Sequence, residues 1–268
     1  MDRLYCTARE IADELDNERL LANPATLRHI RSASSWIDRR AGWFIPVTAA
    51  RRFDTRGGQR LEVDPLLAVT SLVDDTTTLA ATDYLLYPRN RHWENGPYTR
   101  ISPDPDGTHA AWSNERDAVV LTGRWGKYEA TSALGVTVAN TTEIGASGTT
   151  LKASDGSALS PGMVLLVESE QMLVTAVADL TAAEFTVLRG INGTTAATHA
   201  NAIALSRYLP PWDVNWLALQ MAALMTKKAE TGFSGRAGSA ELGEAFYFRE
   251  FPDDPIKRVV ENYRIVSL

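Results

Sequence analysis

The stretch that most constrains this chain is Asn23–Phe44, NPATLRHIRSASSWIDRRAGWF. Asn23 suits a helix cap, and Pro24 suits the first helical position, where no backbone N–H is needed. Leu27, Ile30, Ser34, Ile37, Ala41 and Phe44 then recur at steps of three and four, which places them on one face of a helix. Gly42 supplies a stop and Pro46 forbids continuation. Upstream, Thr7-Ala8-Arg9-Glu10 has the capping-box pattern and opens a short helix over residues 8–18, turned back by Ala22-Asn23-Pro24. Helical pattern returns after Pro210-Pro211. There Asp213 is placed to cap, Leu217, Met221, Leu224 and Lys228 share a face, and Lys227 and Lys228 sit in the last turn before Gly232. Glu244–Phe251 alternates like a strand, and Asp254-Pro255 opens a final helix with Ile256, Val259, Val260 and Tyr263 on its apolar side.

Between these helices the period drops to two. Arg51–Asp54 and Arg60–Val63 flank Arg56-Gly57-Gly58-Gln59, a hairpin signal. Ala68–Asp74, Asp83–Tyr87, Tyr98–Ser102 and Ala118–Thr122 read as further strands, with Asn90–Pro97 a polar loop and Ser102–Gly107 a turn. Composition then shifts: residues 131–206 are rich in Thr, Ala, Gly and Ser and hold no aromatic residue except Phe185. Thr149–Ala153, Val164–Glu168, Gln171–Val177 and Phe185–Arg189 read as short strands of a small barrel or sandwich. The expected class is therefore α+β: a helical core (an N-terminal helix pair plus C-terminal helices) with an antiparallel β region and an inserted all-β barrel- or sandwich-like domain. The expected segments are 1–130, 131–206 and 207–268, the middle one separable from the rest.

Several function classes lack their signatures. The chain has no phosphate-binding Gly-Lys-Ser/Thr loop, nucleophile elbow or dinucleotide fingerprint. His29, His92, His109 and His199 stand far from metal-ligand spacing, and the aspartates of Ser102–Gly107 fall short of a calcium loop. Glu168 and Glu170 alternate with Ser169. On one strand face such a pair could serve a glycosidase, but a solvated turn between strands is the simpler account. Cys6, the single cysteine, precedes a helix N-terminus and reads as a packed or idle thiol. No catalytic residue, metal or cofactor is expected, and no apolar run reaches the ~20 residues of a membrane helix.

With a net charge of −6, any nucleic-acid contact must be local. Arg28, Arg31, Arg39 and Arg40 form the one dense cationic set. They fit DNA phosphates or an acidic partner, or else a solvated face paired with the acids of the first helix. Trp36 and Trp43, off the main stripe, fit a subunit interface or the core.

The order of pieces resembles the head–tail connector (head-completion or adaptor) proteins of tailed bacteriophages. The pieces are ASSWIDRRAGWFIP, RRFD, LEVDPLLAVTSL, DYLLYP, VVLTGRWG, LGEAFYF and a last helix ending in NYR. The segment GMVLLVESEQMLVTAV…FTVLRGINGTTAATHANAIA is similar to a small module inserted in phage neck and tail proteins. The resemblance implies a virion protein made in the bacterial cytoplasm. It would form a ring, commonly of twelve copies, beneath the portal protein, with passive contact with passing DNA and a platform for the stopper or tail. Arg28, Arg31, Trp36, Arg39, Arg40 and Trp43 are the candidate subunit or channel contacts. The apolar end Arg264, Ile265, Val266 and Leu268 is the candidate portal-docking segment, because connectors often reach toward the portal with their C-terminal parts. A tail terminator or completion protein is the alternative, followed by a glycan-binding protein acting through the β module.

Overall fold

The computed structural model describes residues 2–91, 93–141, 143–230, 236–237, 246–247 and 253–264. The fold is mixed α+β, with N-terminal helices, two large antiparallel sheets and C-terminal helices. It divides into two compact units, one made of the residues up to Gly42 together with Thr131–Arg264, the other of Trp43–Ala130. These units do not coincide with the segments 1–130, 131–206 and 207–268. Composition marks where the type of structure changes, whereas packing decides which parts share a core.

In the first unit four helices pack together: α1 (Ala8–Glu14), α2 (Pro24–Ala41), α3 (Trp212–Glu230) and α4 (Asp253–Asn262). Both α1 and α4 lie on α2 and α3, and α2 lies on α3. The stripe read from the sequence is buried: Leu27, Ile30, Ser34, Ile37 and Ala41 in α2, with Thr26, Ala33 and Asp38 widening it. Gly42 ends the helix at φ 88°. The capping box is present, Thr7 and Glu10 each receiving the other's backbone N–H. Helix α1 stops at Glu14, short of residue 18, and Glu18–Leu21 forms a separate 3-10 turn capped by Asn17. In α3, Leu217 and Met221 are buried along with Val214, Ala218, Ala222, Ala223 and Thr226, while Leu224 and Lys228 are half-exposed. Asp213 lies inside this helix rather than capping it. Its carboxylate accepts from Tyr263 Oη at 2.9 Å and Asn262 Nδ2 at 3.3 Å, which pins α4 to α3.

The sheet of this unit runs β7 (Thr131–Thr137), β14 (Ala204–Tyr208), β10 (Val164–Val167), β11 (Glu170–Asp179), β12 (Glu184–Leu188) and β9 (Thr150–Lys152), all antiparallel. Its edges curl until they meet. Val138 bridges Ala153, Ala139 N–H donates to the Lys152 carbonyl at 2.8 Å, and Ser154 N–H donates to the Thr137 carbonyl at 3.0 Å. The result is a small barrel, and closing a sheet removes exposed edges. Phe185, Leu151, Leu165, Val167, Met172, Val174 and Leu205 fill its interior. The strand pattern missed β7 and β14, whose half-exposed alternation is diluted by Thr, Ser, Ala and Gly. A two-stranded pair, β8 (Glu143–Ile144) with β13 (His199–Ala200), lies beside the barrel strands in sequence.

The barrel is joined to the helices at the start of α1, so residues 131–206 are not a free appendage. The first N–H groups of a helix have no intrahelical acceptor. Here Ala8 N–H donates to the Pro161 carbonyl at 2.8 Å and Arg9 N–H to Ser160 Oγ at 2.9 Å. Gly162 makes this approach possible. Its φ is +97°, and a Cβ there would stand 2.8 Å from the Cys6 carbonyl oxygen.

The second unit holds β1 (Val47–Phe53), β2 (Leu61–Asp74), β3 (Thr77–Thr78), β4 (Tyr84–Tyr87), β5 (Tyr98–Pro103) and β6 (Val119–Trp125) in the order β1-β6-β2-β5-β4, with β3 on β2. The expected hairpin between Arg51–Asp54 and Arg60–Val63 does not form. Strand β1 pairs with β6 along its whole length, from Val47 opposite Trp125 to Phe53 opposite Val119, and β2 takes the other side of β6. The Gly-rich loop instead bonds to the residues before β6: Gly57 N–H donates to the Ser113 carbonyl at 3.1 Å, and Trp112 N–H donates to the Gly58 carbonyl at 3.0 Å. A turn signal allows a hairpin, but the buried strand bearing Val119, Leu121 and Trp125 supplies better flanks for both partners. The segments 60–63 and 68–74 merge into the single strand β2, whose register with β5 shifts between Glu62 and Leu66, around Pro65.

The remaining short pair, β15 (Arg236–Ala237) with β16 (Phe246–Tyr247), is antiparallel. The rest of the expected strand Glu244–Phe251 lies outside the described residues.

Candidate functional site

The residues singled out for contacts do not gather into one place. Arg28, Arg39 and Arg40 are exposed on α2. Arg28 and Arg39, eleven positions apart, share the side opposite the buried stripe. Arg31 is half-buried and reaches Asp2 at 3.7 Å, an acid that precedes α1 rather than lying on it. Trp36 is half-buried under the Arg40 guanidinium, 3.8 Å from the ring centroid. Trp43 belongs to the other unit, where it packs against the sheet core with the Arg51 guanidinium 5.3 Å from its ring. Arg264 is exposed just beyond α4, and Ile265, Val266 and Leu268 lie outside the described residues.

The densest polar cluster is in the barrel, and it corrects the account of Glu168 and Glu170 as a solvated pair. Glu168 is exposed in the β10–β11 turn at φ 54°, but Glu170 is fully buried. The Glu170 carboxylate accepts from Arg189 Nε at 2.7 Å and Nη2 at 2.8 Å. It also accepts from the N–H groups of Gly190 and Ala197 at 2.9 Å each, and His199 Nε2 stands 2.8 Å away. The other ring nitrogen of His199 faces Glu168 at 2.6 Å. Arg189 continues outward to the carbonyls of Gly145 and Gly148 at 2.8 and 2.9 Å. Burial pushes the Glu170 carboxyl up, but Arg189, the Ala197 N–H, His199 and the Gly190 N–H outweigh it and hold it at about 2. A carboxylate with every lone-pair direction occupied has none left for a substrate proton. The cluster therefore fastens the loop Arg189–His199 over the barrel. The same loop carries Asn192 at φ 53° and Gly193 at φ 79°, as its turn chemistry requires.

Other titratable groups are used in the same way. Asp74 is buried and accepts from Ser113 N–H at 2.9 Å and from Ser113 Oγ, with His109 Nε2 at 2.9 Å. Histidine and serine thus meet the aspartate rather than each other, which is not the geometry of an activated nucleophile. His29 Nδ1 bonds Thr226 Oγ1 at 2.9 Å between α2 and α3; burial first, then Arg28, lower its pKa. Burial, with Glu10 adding to it, raises the Cys6 thiol well above its ordinary value, overriding the helix N-terminus. Among the described residues no group of His, Cys, Asp and Glu is placed to hold a metal ion, and no helix is long and apolar enough to cross a membrane.

The feature that sequence reasoning missed is a groove between α3 and α4, lined by Trp212, Trp216, Pro255, Arg258, Val259 and Asn262, with a volume of about 300 Å³. Trp212 is 78% exposed and Trp216 38%. A tryptophan removed from water contributes among the largest apolar areas of any residue, so leaving two in solvent on one helical turn is unfavourable without a partner. The signal was in the sequence: tryptophans four apart at the start of a helix, off the Leu217–Met221 stripe. No family model, no curated protein and no solved structure matches this chain significantly.

Proposed function

We propose that this chain is a structural virion protein, a head–tail connector that assembles as a ring beneath the portal protein at the virion neck and offers a platform to the stopper or tail. The observation that carries this is the exposed Trp212–Trp216 groove. Aromatic anchors beside an apolar groove with a polar rim of Asp213, Arg258 and Asn262 are the usual anatomy of a protein–protein hot spot. The buried carboxylates Glu170 and Asp74, by contrast, are committed to internal hydrogen bonds. Helix α4 lines the groove and leads directly into Arg264, the first residue of the candidate portal-docking segment.

Light scattering on the free protein should show a monomer or weak association, with rings forming only on portal. Trp212→Ala and Trp216→Ala, both at exposed positions, should leave the melting temperature within about a degree and weaken portal binding at least tenfold, about 1.4 kcal/mol. Deleting Ile265–Leu268 should act in the same direction. A tight dimer formed without portal, or normal portal binding by the double tryptophan variant, would sink the proposal.

A further inference from the structure

A second surface, in the sheet unit, has a different chemistry. Strand β4 is the free edge of its sheet, and Tyr87 at its end stands opposite Arg100 on β5. The Arg100 guanidinium lies 4.3 Å from the centroid of the Tyr87 ring, and Arg89 approaches the same ring at 5.8 Å. Tyr98, two residues before Arg100 and so on the same face of β5, carries Arg91 at 4.3 Å from its centroid, and Arg91 Nη2 donates to Tyr98 Oη at 2.8 Å. Three guanidiniums and two phenol rings are thereby laid side by side.

None of the three arginines has a carboxylate within ion-pair distance among the described residues; Arg89 and Arg91 are exposed, whereas Arg100 is half-buried, as are Arg31 and Arg51, which do have one. Glu62 stands opposite Arg100 in register, but its carboxylate is shared with Arg60 at 3.8 Å. The Arg100 Nε is buried with no hydrogen-bond partner at all. From Tyr84 to Arg100 the chain carries these three arginines against one acid, Glu94, in a protein of net charge −6. A guanidinium stacked on an aromatic ring keeps its N–H edges free and loses little entropy on binding a planar anion.

The kind of anion follows from what else the surface offers. Among the described residues the four exposed large apolar side chains, Leu180, Leu188, Trp212 and Trp216, lie in the other unit, so the described part of this face lacks the apolar centre of a protein interface. Its tyrosine rings are covered by guanidiniums, which removes the stacking platform that single-stranded bases require. What remains is a fixed row of positive charge without base-reading groups.

We propose that Arg89, Arg91 and Arg100, held on Tyr87 and Tyr98, form a sequence-independent contact surface for the phosphate backbone of a nucleic-acid duplex. This does not rest on the connector assignment and is tested without portal. Anisotropy of a labelled mixed-sequence DNA duplex with the full chain should show weak binding at low salt, with log K falling against log salt at a slope of about −2.7 for three phosphate contacts. A duplex RNA arm should behave similarly, and single-stranded DNA should bind more weakly. Each Arg→Gln change should flatten the slope by about 0.9, while the triple Arg→Lys variant keeps it. Arg100 is half-buried, so the double variant Arg89→Gln/Arg91→Gln, at exposed positions, stands in for it if its variant misfolds and should flatten the slope by about 1.8. The control Lys227→Gln/Lys257→Gln, at exposed positions of α3 and α4, should change nothing. Absence of binding at low salt, an unchanged slope in the Arg89/Arg91 double variant, loss of binding in the lysine control, or equal competition by poly-glutamate would each overturn the proposal. The last would identify an acidic protein instead.

Discussion

Asp38 and Glu170 are two carboxylates taken out of water in the same unit, each with an arginine beside it, and their pKa values move in opposite directions. Asp38 receives Arg3 Nε at 3.0 Å and Nη2 at 2.7 Å, both on one oxygen, and the Tyr5 hydroxyl on the other. Burial outweighs those partners and its pKa is raised. Glu170 receives Arg189 twice, two backbone N–H groups and His199, and is held at about 2. The arginine alone does not decide the outcome. Backbone donors of a loop already folded into place offset desolvation that one guanidinium and one hydroxyl leave uncompensated.

The largest test of this contrast is Arg189→Met. It leaves Glu170 buried among fewer donors and unfastens Gly145, Gly148 and the Arg189–His199 loop, so a loss of about 3–5 kcal/mol in urea unfolding is expected. A loss below about 1 kcal/mol would mean that the backbone donors suffice without the arginine.

Acid titration comes next. The folded pKa of Glu170 lies below its unfolded value, so its contribution is fully present above about 4.5 and is lost as pH falls through about 2. That loss is on the order of 3 kcal/mol at most, and the Glu170→Gln variant, though weaker at neutral pH, should not show it. Asp38 has the opposite sign. Its folded pKa is raised, so its contribution is present at low pH and is lost as pH rises through the folded value. A stability profile of Asp38→Asn that matches the parent at every pH would remove Asp38 from the comparison.

Arg3→Met should cost less than Arg189→Met, about 1–2 kcal/mol, because Asp38 can take up a proton and keep its bond to Tyr5. The cost should grow as pH rises through the raised folded pKa of Asp38. Equal costs for the two arginine variants at every pH would break the comparison. The smallest effect is Thr7→Ala, about 1 kcal/mol, since it removes one cap bond while Pro161 and Ser160 still receive the N–H groups of Ala8 and Arg9. A larger loss would show that α1 depends on its own cap more than on the barrel.

Much of this was legible because it is local. The capping box of α1, the buried stripe of α2, the turn at Asn192-Gly193 and the barrel strands from Val164 to Leu188 follow from spacing and from residue conformational preference, which the sequence states directly. The barrel cluster was legible only in part. Glu168, Glu170, Arg189 and His199 are among the few titratable residues of a Thr- and Ala-rich segment, yet 19 residues separate Glu170 from Arg189 and 29 separate it from His199. No local pattern spans such gaps, so an alternating Glu-Ser-Glu looked solvated. Trp212 and Trp216 were visible as a pair, but whether a tryptophan is covered depends on what the rest of the chain places over it.

By itself the sequence determined the α+β class, the amphipathic helices, the caps and the turns, because each depends on neighbours within a few residues. Only the tertiary structure decided that β1 pairs with β6 rather than β2, that the barrel shares a compact unit with the helices, and that one glutamate of a pair is buried while the other stays in water. Those outcomes are set by competition among distant partners for the same burial sites and hydrogen-bond acceptors, and the winner depends on the three-dimensional arrangement of the whole chain.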